Sequence, residues 1–384
     1  INLILGNFRR FNHLFIYMQN KSKLNNTVTL FVNGRKYENW LEVSITCTLQ
    51  SLARTFSVRS TRSKEDLTIG IQPQDEVKVF IGDDLVLTGY VTKREVSYSA
   101  SGISITISGA SKTVDLQDCC MPHGMANSYK NQTHEQNLKA VCAPFGIGVV
   151  DQVKSVDRRN LEFSPTETVG AAVTRYLQKN GILLTDDEAG NLVIAQAGSG
   201  GNAHDTLELG KNILEGKRTQ DVSKRFSDYV TLGQAANPTS ELPVSANHLK
   251  ATARDPEVRR ARWLVKQESG NASSEILQKK ALVIKDVQIG ESDTLTYTVQ
   301  GWRQSNGELW RVNSFVHVVD SLVEEDGTLR KVIQGITYSL GSSGSTVALS
   351  LCNKLKFQLV VEPDAKKIKL EDNDDIKKNS GRIV

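Results

Sequence analysis

The residues best equipped for chemistry lie in small groups. Cys119, Cys120 and Cys142 fall near His123 and His134. Thiolate and imidazole together are zinc-ligand chemistry. No C-x-x-C knuckle is present, so packed or loop cysteines are the simpler reading. Asp186-Asp187-Glu188 and Glu324-Glu325-Asp326 are carboxylate clusters. Such pairs hydrolyse glycosides when they flank a sugar across a cleft. Each cluster precedes a turn glycine, Gly190 or Gly327, which suits solvated turn residues better. Ser342-Ser343-Gly344-Ser345 lacks the G-x-S-x-G order of a nucleophile elbow. Gly109-Ala110-Ser111-Lys112-Thr113 resembles half of a phosphate loop, without the leading glycine or the Gly-Lys pair. Arg259, Arg260 and Arg262 beside Trp263 could meet phosphate or stack on a base. A solvated or subunit-facing surface is the simpler explanation. No catalytic constellation emerges. No catalytic, cofactor or metal residue is assigned, and the chain reads as architectural rather than enzymatic.

Composition supports that reading. The 384 residues suit two to four domains at roughly 100–200 residues each. Lys and Arg total 47 against 43 Asp and Glu, a net charge of +4, too small for a dedicated nucleic-acid binder. Charged residues at 23% and apolar ones at 39% describe an ordinary globular chain. No uncharged apolar run approaches the roughly 18 residues a membrane helix needs, so no membrane insertion is expected. The N-terminal apolar run is broken by Arg9, Arg10 and His13, unlike a signal peptide. Five cysteines in an odd, sparse set argue against a disulfide framework and for a reducing compartment.

The elements that would position these residues follow from periodicity. Residues 1–26 form an expected N-terminal arm, non-native in part because the first Met is Met18. Residues 27–113 alternate apolar and polar side chains in short runs. Asn33-Gly34, Gly82-Asp83-Asp84 and Ser101-Gly102 mark turns between them. This predicts a small antiparallel β-barrel. Residues 114–205 are expected to be an α+β domain. Its helices would run from His134 to Ala143 and from Thr166 to Asn180, the second capped by Ser164 or Thr166. A hairpin follows around 186–191. Gly198-Ser199-Gly200-Gly201-Asn202 reads as a flexible boundary. Residues 206–235 and 293–355 predict a second β-barrel. Residues 236–292 would be an insertion into it, carrying a helix from Ser273 to about Ile289 and packing with the α+β domain. Residues 356–384 form a charged tail, with disorder as the default. The fold class is therefore mainly β with α+β modules, two similar barrels per chain.

The two β regions look like copies. Arg54-Thr55-Phe56-Ser57 is echoed by Lys224-Arg225-Phe226-Ser227. Gly82-Asp83-Asp84-Leu85-Val86 is echoed by Asn306-Gly307-Glu308-Leu309-Trp310, and Gly102-Ile103 by Gly327-Thr328. Gly109 and Gly335 both end the strands that follow. An internal duplication is the expectation.

Two stretches carry a family resemblance. One runs from Gly82 to Val91 with the turn and strand Ser101 to Ile107. The other runs from Gly109 to Cys119. Together they resemble the tail hub proteins of contractile phages, the late-control-D group, and most of all the Mu-type hubs. The resemblance spans about residues 26–355 and extends to type VI secretion spike hubs. It implies a virion protein of the tail baseplate, assembled in the host cytoplasm. It implies a homotrimer whose two barrels per subunit form a pseudo-six-fold ring. Such a ring joins the hexameric tail tube protein to the trimeric membrane-piercing spike protein, contacts other baseplate proteins, and passes DNA through its lumen. The family offers no catalytic residue to carry over here. The arm and the tail depart from its pattern. One alternative is a tail-associated cell-wall-binding or glycan-hydrolase module using Asp186, Asp187 and Glu188. Another is an oligonucleotide-binding barrel, which Phe56, Phe80 and Tyr90 disfavour because all fall in apolar strands.

Overall fold

The structure, a computed structural model, describes residues 26–62, 70–100, 102–164, 166–178, 182–234, 248–271, 273–323, 328–342 and 344–358. The expected arm and most of the charged tail lie outside these, as do Glu324-Glu325-Asp326, Asn180 and Gly181.

The first β region contributes β1 (Val28–Val32), β2 (Arg35–Tyr37), β3 (Glu42–Thr48), β4 (Thr55–Arg62), β5 (Glu76–Ile81), β6 (Asp84–Ser99) and β7 (Gly102–Ser111). Asn33 and Gly34 carry φ of 50° and 75°, as a two-residue hairpin turn requires, and they join β1 to β2. Period-2 burial marks β3 and β5, where Val43, Ile45, Cys47, Val77, Val79 and Ile81 point inward.

The α+β module follows. Its elements are α1 (Val114–Asp118), β8 (Ser128–Thr133), α2 (His134–Cys142), β9 (Val149–Asp151), β10 (Arg158–Glu162), α3 (Val169–Gln178), β11 (Leu183–Asp186) and β12 (Leu192–Ala195). Thr133 caps α2 through a reciprocal box with Gln136. The expected caps of α3 are displaced. Thr168, not Ser164 or Thr166, accepts from the N–H of Ala171 at 3.3 Å. Glu167 instead turns back to Ser164 and Arg175. Leu116, Leu138, Val141, Val169, Val173 and Ile194 fill the module's own core.

The remaining elements are β13 (Leu207–Glu208), β14 (Ile213–Gln220), β15 (Asp228–Gln234), β16 (His248–Arg254), β17 (Trp263–Asn271), α4 (Ser274–Glu291), β18 (Asp293–Gln300), β19 (Phe315–Val319), β20 (Thr328–Gly341) and β21 (Gly344–Cys352). Here one domain expectation needs correction. β15 does not join the second barrel; it pairs with β16 and β17 in a separate three-stranded sheet covered by α4. Alternation marks a strand but does not say which sheet it enters, so the insertion begins before β15. The insertion has small buried clusters of its own, and at the end of α4 Glu291 lines a crevice with Thr174, Leu177 and Leu184 of the α+β module. Among the described residues its buried clusters are Tyr229, Ala253 and Ala281, and Ala251 with Leu277, and none comes from 114–205.

The two β regions are fused rather than separate. One 13-stranded sheet runs β14-β18-β21-β20-β3-β4-β7-β6-β5-β1-β2, with β19 on β20 and β13 on β19. The junction is β3 against β20, antiparallel, from Gly335 opposite Thr48 to Leu340 opposite Val43. One hydrophobic cluster spans both lobes, from Leu30, Ile45 and Ile107 to Tyr297, Trp302 and Leu349.

Topology bears out the duplication and corrects its register. Lobe 1 is ordered β3-β4-β7-β6-β5-β1, and lobe 2 is ordered β14-β18-β21-β20-β19-β13. Both sets appear in the same succession along the chain. The hairpin pairs Ser99 with Gly102 and Gly341 with Gly344 correspond. Eight residues back from each, the ladder carries a β-bulge, between Val91 and Lys93 in β6 and between Ile333 and Gly335 in β20. The counterpart of the Ser101-Gly102 turn is therefore Gly341 to Gly344, not Gly327. The inserted β15-β16-β17-α4 unit occupies the place of the short β3–β4 connection. Only the last pairing differs: β5 meets β1 antiparallel, whereas β19 meets β13 in parallel.

Candidate functional site

The groups singled out for chemistry are scattered. Cys119 and Cys120 are exposed. Cys142 is buried in the module core, where burial pushes its thiol up to about 12. Burial likewise holds Cys47 and Cys352 at about 11, so all three remain neutral thiols at neutral pH. His134 faces inward, its Nδ1 2.8 Å from the Tyr176 hydroxyl. Asn137 Nδ2 donates to the same hydroxyl at 2.9 Å. His134 and Asn137 thus both meet this one buried hydroxyl. Burial lowers the His134 pKa and favours the neutral ring. Among the described residues no group of three His, Cys, Asp or Glu side chains converges as a metal ligand set.

Ser111 and Thr113, in the half phosphate loop, are buried and hydrogen-bonded to each other at 2.8 Å. They join β7 to α1 and present nothing to a phosphate. Ser343 lies outside the described residues. Arg262 grips the carbonyls of Val222 and Ser223 and lies over the Phe226 ring at 4.9 Å. Arg259, Arg260 and Trp263 are exposed.

The carboxylate cluster at 186–188 behaves differently from solvated turn residues. Asp186 is buried at the end of β11. Its Oδ1 accepts from Arg54 Nε at 3.0 Å and its Oδ2 from the Arg54 backbone N–H at 3.0 Å. Arg54 Nη2 reaches the Asp186 carbonyl and Nη1 the Val86 carbonyl. Glu188 completes the group 3.0 Å from Arg54 Nη1. Burial works against the charge on Arg54, but the carboxylates of Asp186 and Glu188 beside it hold the guanidinium protonated. Burial pushes Asp186 up against the pull of Arg54, whereas at Glu188 that pull prevails and the carboxyl sits low. Both oxygens of Asp186 are committed to Arg54, so it cannot shuttle a proton to a sugar. The group locks the α+β module onto lobe 1, facing a cleft of about 240 Å³ lined also by Trp310 and Tyr338 of lobe 2. Asp187 only shapes the turn, accepting from Asn191. Sequence reasoning missed Arg54. An arginine flanked by Ala53 and Thr55 at the edge of an apolar strand was its sole local signal.

Two further clasps join the parts. Arg303 of lobe 2 donates to Asp84 at 2.6 Å, to the Ile81 carbonyl at 2.9 Å and to the Gly307 carbonyl at 2.9 Å. The Asp83-Asp84 and Asn306-Gly307 turns, expected to be copies, are instead neighbours bridged by this one side chain. The glycine-rich stretch at 198–202 is pinned rather than loose. Asn313, at φ 67°, accepts from the Gly198 N–H at 2.7 Å and donates to Gln196 O and Ser199 Oγ at 2.9 Å.

The geometry is therefore that of a scaffold: a doubled lobe, an internal strand seam and buried ionic clasps. Comparison with known proteins agrees with that description. The model of the Mu phage baseplate assembly protein GpP-like N-terminal domain matches residues 27–111. The second domain of baseplate hub protein gp44-like matches 113–196, and the fourth domain of the Mu baseplate assembly protein GpP matches 274–360. Baseplate hub protein gp44 of Escherichia phage Mu is 30% identical over 352 residues, covering 89% of this chain and 92% of that protein. This chain belongs to the Mu-type baseplate hub family. Among solved structures, the 43 kDa tail protein of prophage MuSo2 from Shewanella oneidensis resembles this hub with a TM-score of 0.77 and 29% identity, over 87% of this chain and 99% of that one. The tail protein of Neisseria meningitidis MC58 shares the fold, with a TM-score of 0.73 and 23% identity over 86% and 98%. The hub is thus a component of a Mu-like phage tail baseplate. Among its described residues no helix is long and apolar enough to cross a membrane.

Proposed function

We propose that the hub is the central, non-enzymatic ring of the baseplate, a homotrimer whose six similar lobes surround one lumen. The observation that carries this is the doubled lobe, with its matched strand order and matched bulge. Three chains with two equivalent lobes each present six near-identical faces on a three-fold axis. Such a ring can match a hexameric tail tube on one face and a trimeric spike on the other, and its lumen would pass DNA. Its partners would be a second and third copy, the tube protein, the spike protein and neighbouring baseplate proteins, assembled in the host cytoplasm and carried in the virion. Closed cyclic symmetry is the usual outcome for repeated identical subunits.

Light scattering on purified hub tests the proposal. A mass near three times the 42.4 kDa chain supports it. A hub that stays monomeric both alone and with the spike protein refutes it. The glycan-hydrolase alternative has no specific observation in its favour, because Asp186 is consumed by Arg54.

A further inference from the structure

The duplication leaves two strand edges without counterparts to the internal seam. Within the chain, residues 335–340 of β20 pair with 43–48 of β3. The counterpart of β20 is β6, and the shared hairpin and bulge place 335–340 on 93–98. The counterpart of β3 is β14. Following β3 through β4 to β7, and β14 through β18 to β21, places 43–48 on 216–221. Among the described residues no strand pairs with 93–98 on the edge away from β7, nor with β14 on the edge away from β18. The β6 edge carries Val96 at 46% and Tyr98 at 84% exposure. An open strand edge bearing apolar side chains is a template for another strand.

We propose that residues 93–98 of one chain pair antiparallel with residues 216–221 of a second copy, in the register of the internal seam. The proposal rests on the ring reading above and adds the surface and register that would build it. That register sets Lys93 opposite Asp221, Glu95 opposite Thr219, and Tyr98 opposite Gly216. Lys93 and Asp221 are opposite charges on one face, a favourable cross-strand pair. Thr219 takes the place of Thr46, whose hydroxyl meets that of Thr337 at 3.2 Å across the internal seam. In the second seam it would donate to the Glu95 carboxylate. Lys217, diagonal to Glu95, adds a second attraction. Tyr98, the largest exposed side chain on this edge, meets a glycine that offers no side chain against it. The two surfaces differ, so the contact is head to tail. Such contacts close into a ring or run on as a filament. Alternation with an internal seam of the same register gives every lobe the same two neighbours, as a ring demands.

The test uses the full chain with exposed Cys119 and Cys120 changed to Ser. Lys93→Cys and Asp221→Cys are introduced together. Directly opposite residues bring their Cβ atoms to about 5 Å, close to disulfide range. Mild oxidation should convert the monomer band to dimer and trimer bands on a non-reducing gel. Lys93→Cys with Thr219→Cys, two residues out of register, should cross-link far less. Lys93→Asp alone should weaken self-association in light scattering, and adding Asp221→Lys should restore it. A multimer that does not cross-link in register, or cross-links equally out of register, overturns the seam and leaves the ring standing. A monomer at every concentration, both alone and with the spike protein, overturns both.

Discussion

Replacing Asp186 with alanine removes the carboxylate that holds Arg54 at the junction of lobe 1 and the α+β module. The Arg54 side chain is 8% exposed and that of Asp186 3%, so the guanidinium would remain buried without its principal partner. Deleting one member of such a pair costs about 3–5 kcal/mol. Arg54 keeps the Val86 carbonyl and the Asp186 backbone carbonyl. It also keeps Glu188, which at 40% side-chain exposure is a weaker substitute. The lower end, about 3 kcal/mol, is therefore expected. With a urea slope of about 3 kcal/mol/M, the unfolding midpoint should fall by about 1 M. Asp186→Asn keeps the shape and loses the charge, and should fall between Asp186→Ala and wild type. Asp187→Ala, which loses turn hydrogen bonds to Asn191, should cost about 1 kcal/mol. The assay is urea denaturation followed by tryptophan fluorescence, with Trp310 lining the same cleft. If Asp186→Ala shifts the midpoint no more than Asp187→Ala, the clasp does not hold the domains together and the reasoning fails.

Three further outcomes follow from the same geometry. His134 is held neutral by burial and its pKa is lowered, so the unfolded chain takes up a proton near pH ~6.5 that the folded chain refuses. The stability it contributes is complete above that pH and declines as pH falls; His134→Gln should flatten the stability difference between pH 7.5 and 5.5, and an unchanged slope would count against the trio. At Asp293 burial pushes the carboxyl up, but hydrogen bonds from Arg218 and Lys331 outweigh it and hold the pKa low. Its stabilisation is present above pH ~3.9 and lost as pH falls; Asp293→Asn should cost about 2 kcal/mol at neutral pH and shrink the acid limb of an unfolding curve. A Cβ on Gly89 would lie 1.9 Å from the Ala110 carbonyl oxygen and 2.6 Å from Ser111 Cα. Gly89→Ala should therefore destabilise by about 3 kcal/mol, while Gly341→Ala, with open space around it, should change the melting free energy by less than about 0.5 kcal/mol.

The strands and helices were legible because they are local. Alternation gives β3 and β5, Asn33-Gly34 gives the first hairpin, and the stretch from His134 to Ala143 gives α2. The duplication was legible as a kind of likeness but not as a register. Its decisive marks are a strand order and a bulge, and both are properties of pairing partners rather than of residue types. Glycine turns misled for this reason, since the Asp83-Asp84 and Asn306-Gly307 turns resemble each other and yet meet across Arg303. Arg54 and Asp186 are 132 residues apart, and nothing near either announces the other. β15 reads like any barrel strand, because the alternation that marks it is indifferent to the sheet it joins.

The bulge common to β6 and β20 also has a history in it. A bulge leaves one residue out of the ladder and bends its strand, and two independent origins at one register are improbable beside a single inherited one. It therefore predates the doubling. The β15-β16-β17-α4 unit is present in one lobe and absent from the other. The ancestor this implies was a chain with one lobe. In the ring proposed above, six copies of such a lobe, each presenting both halves of the seam, would have to find one another in solution. On that proposal, joining two lobes in one polypeptide turns half of those encounters into folding steps.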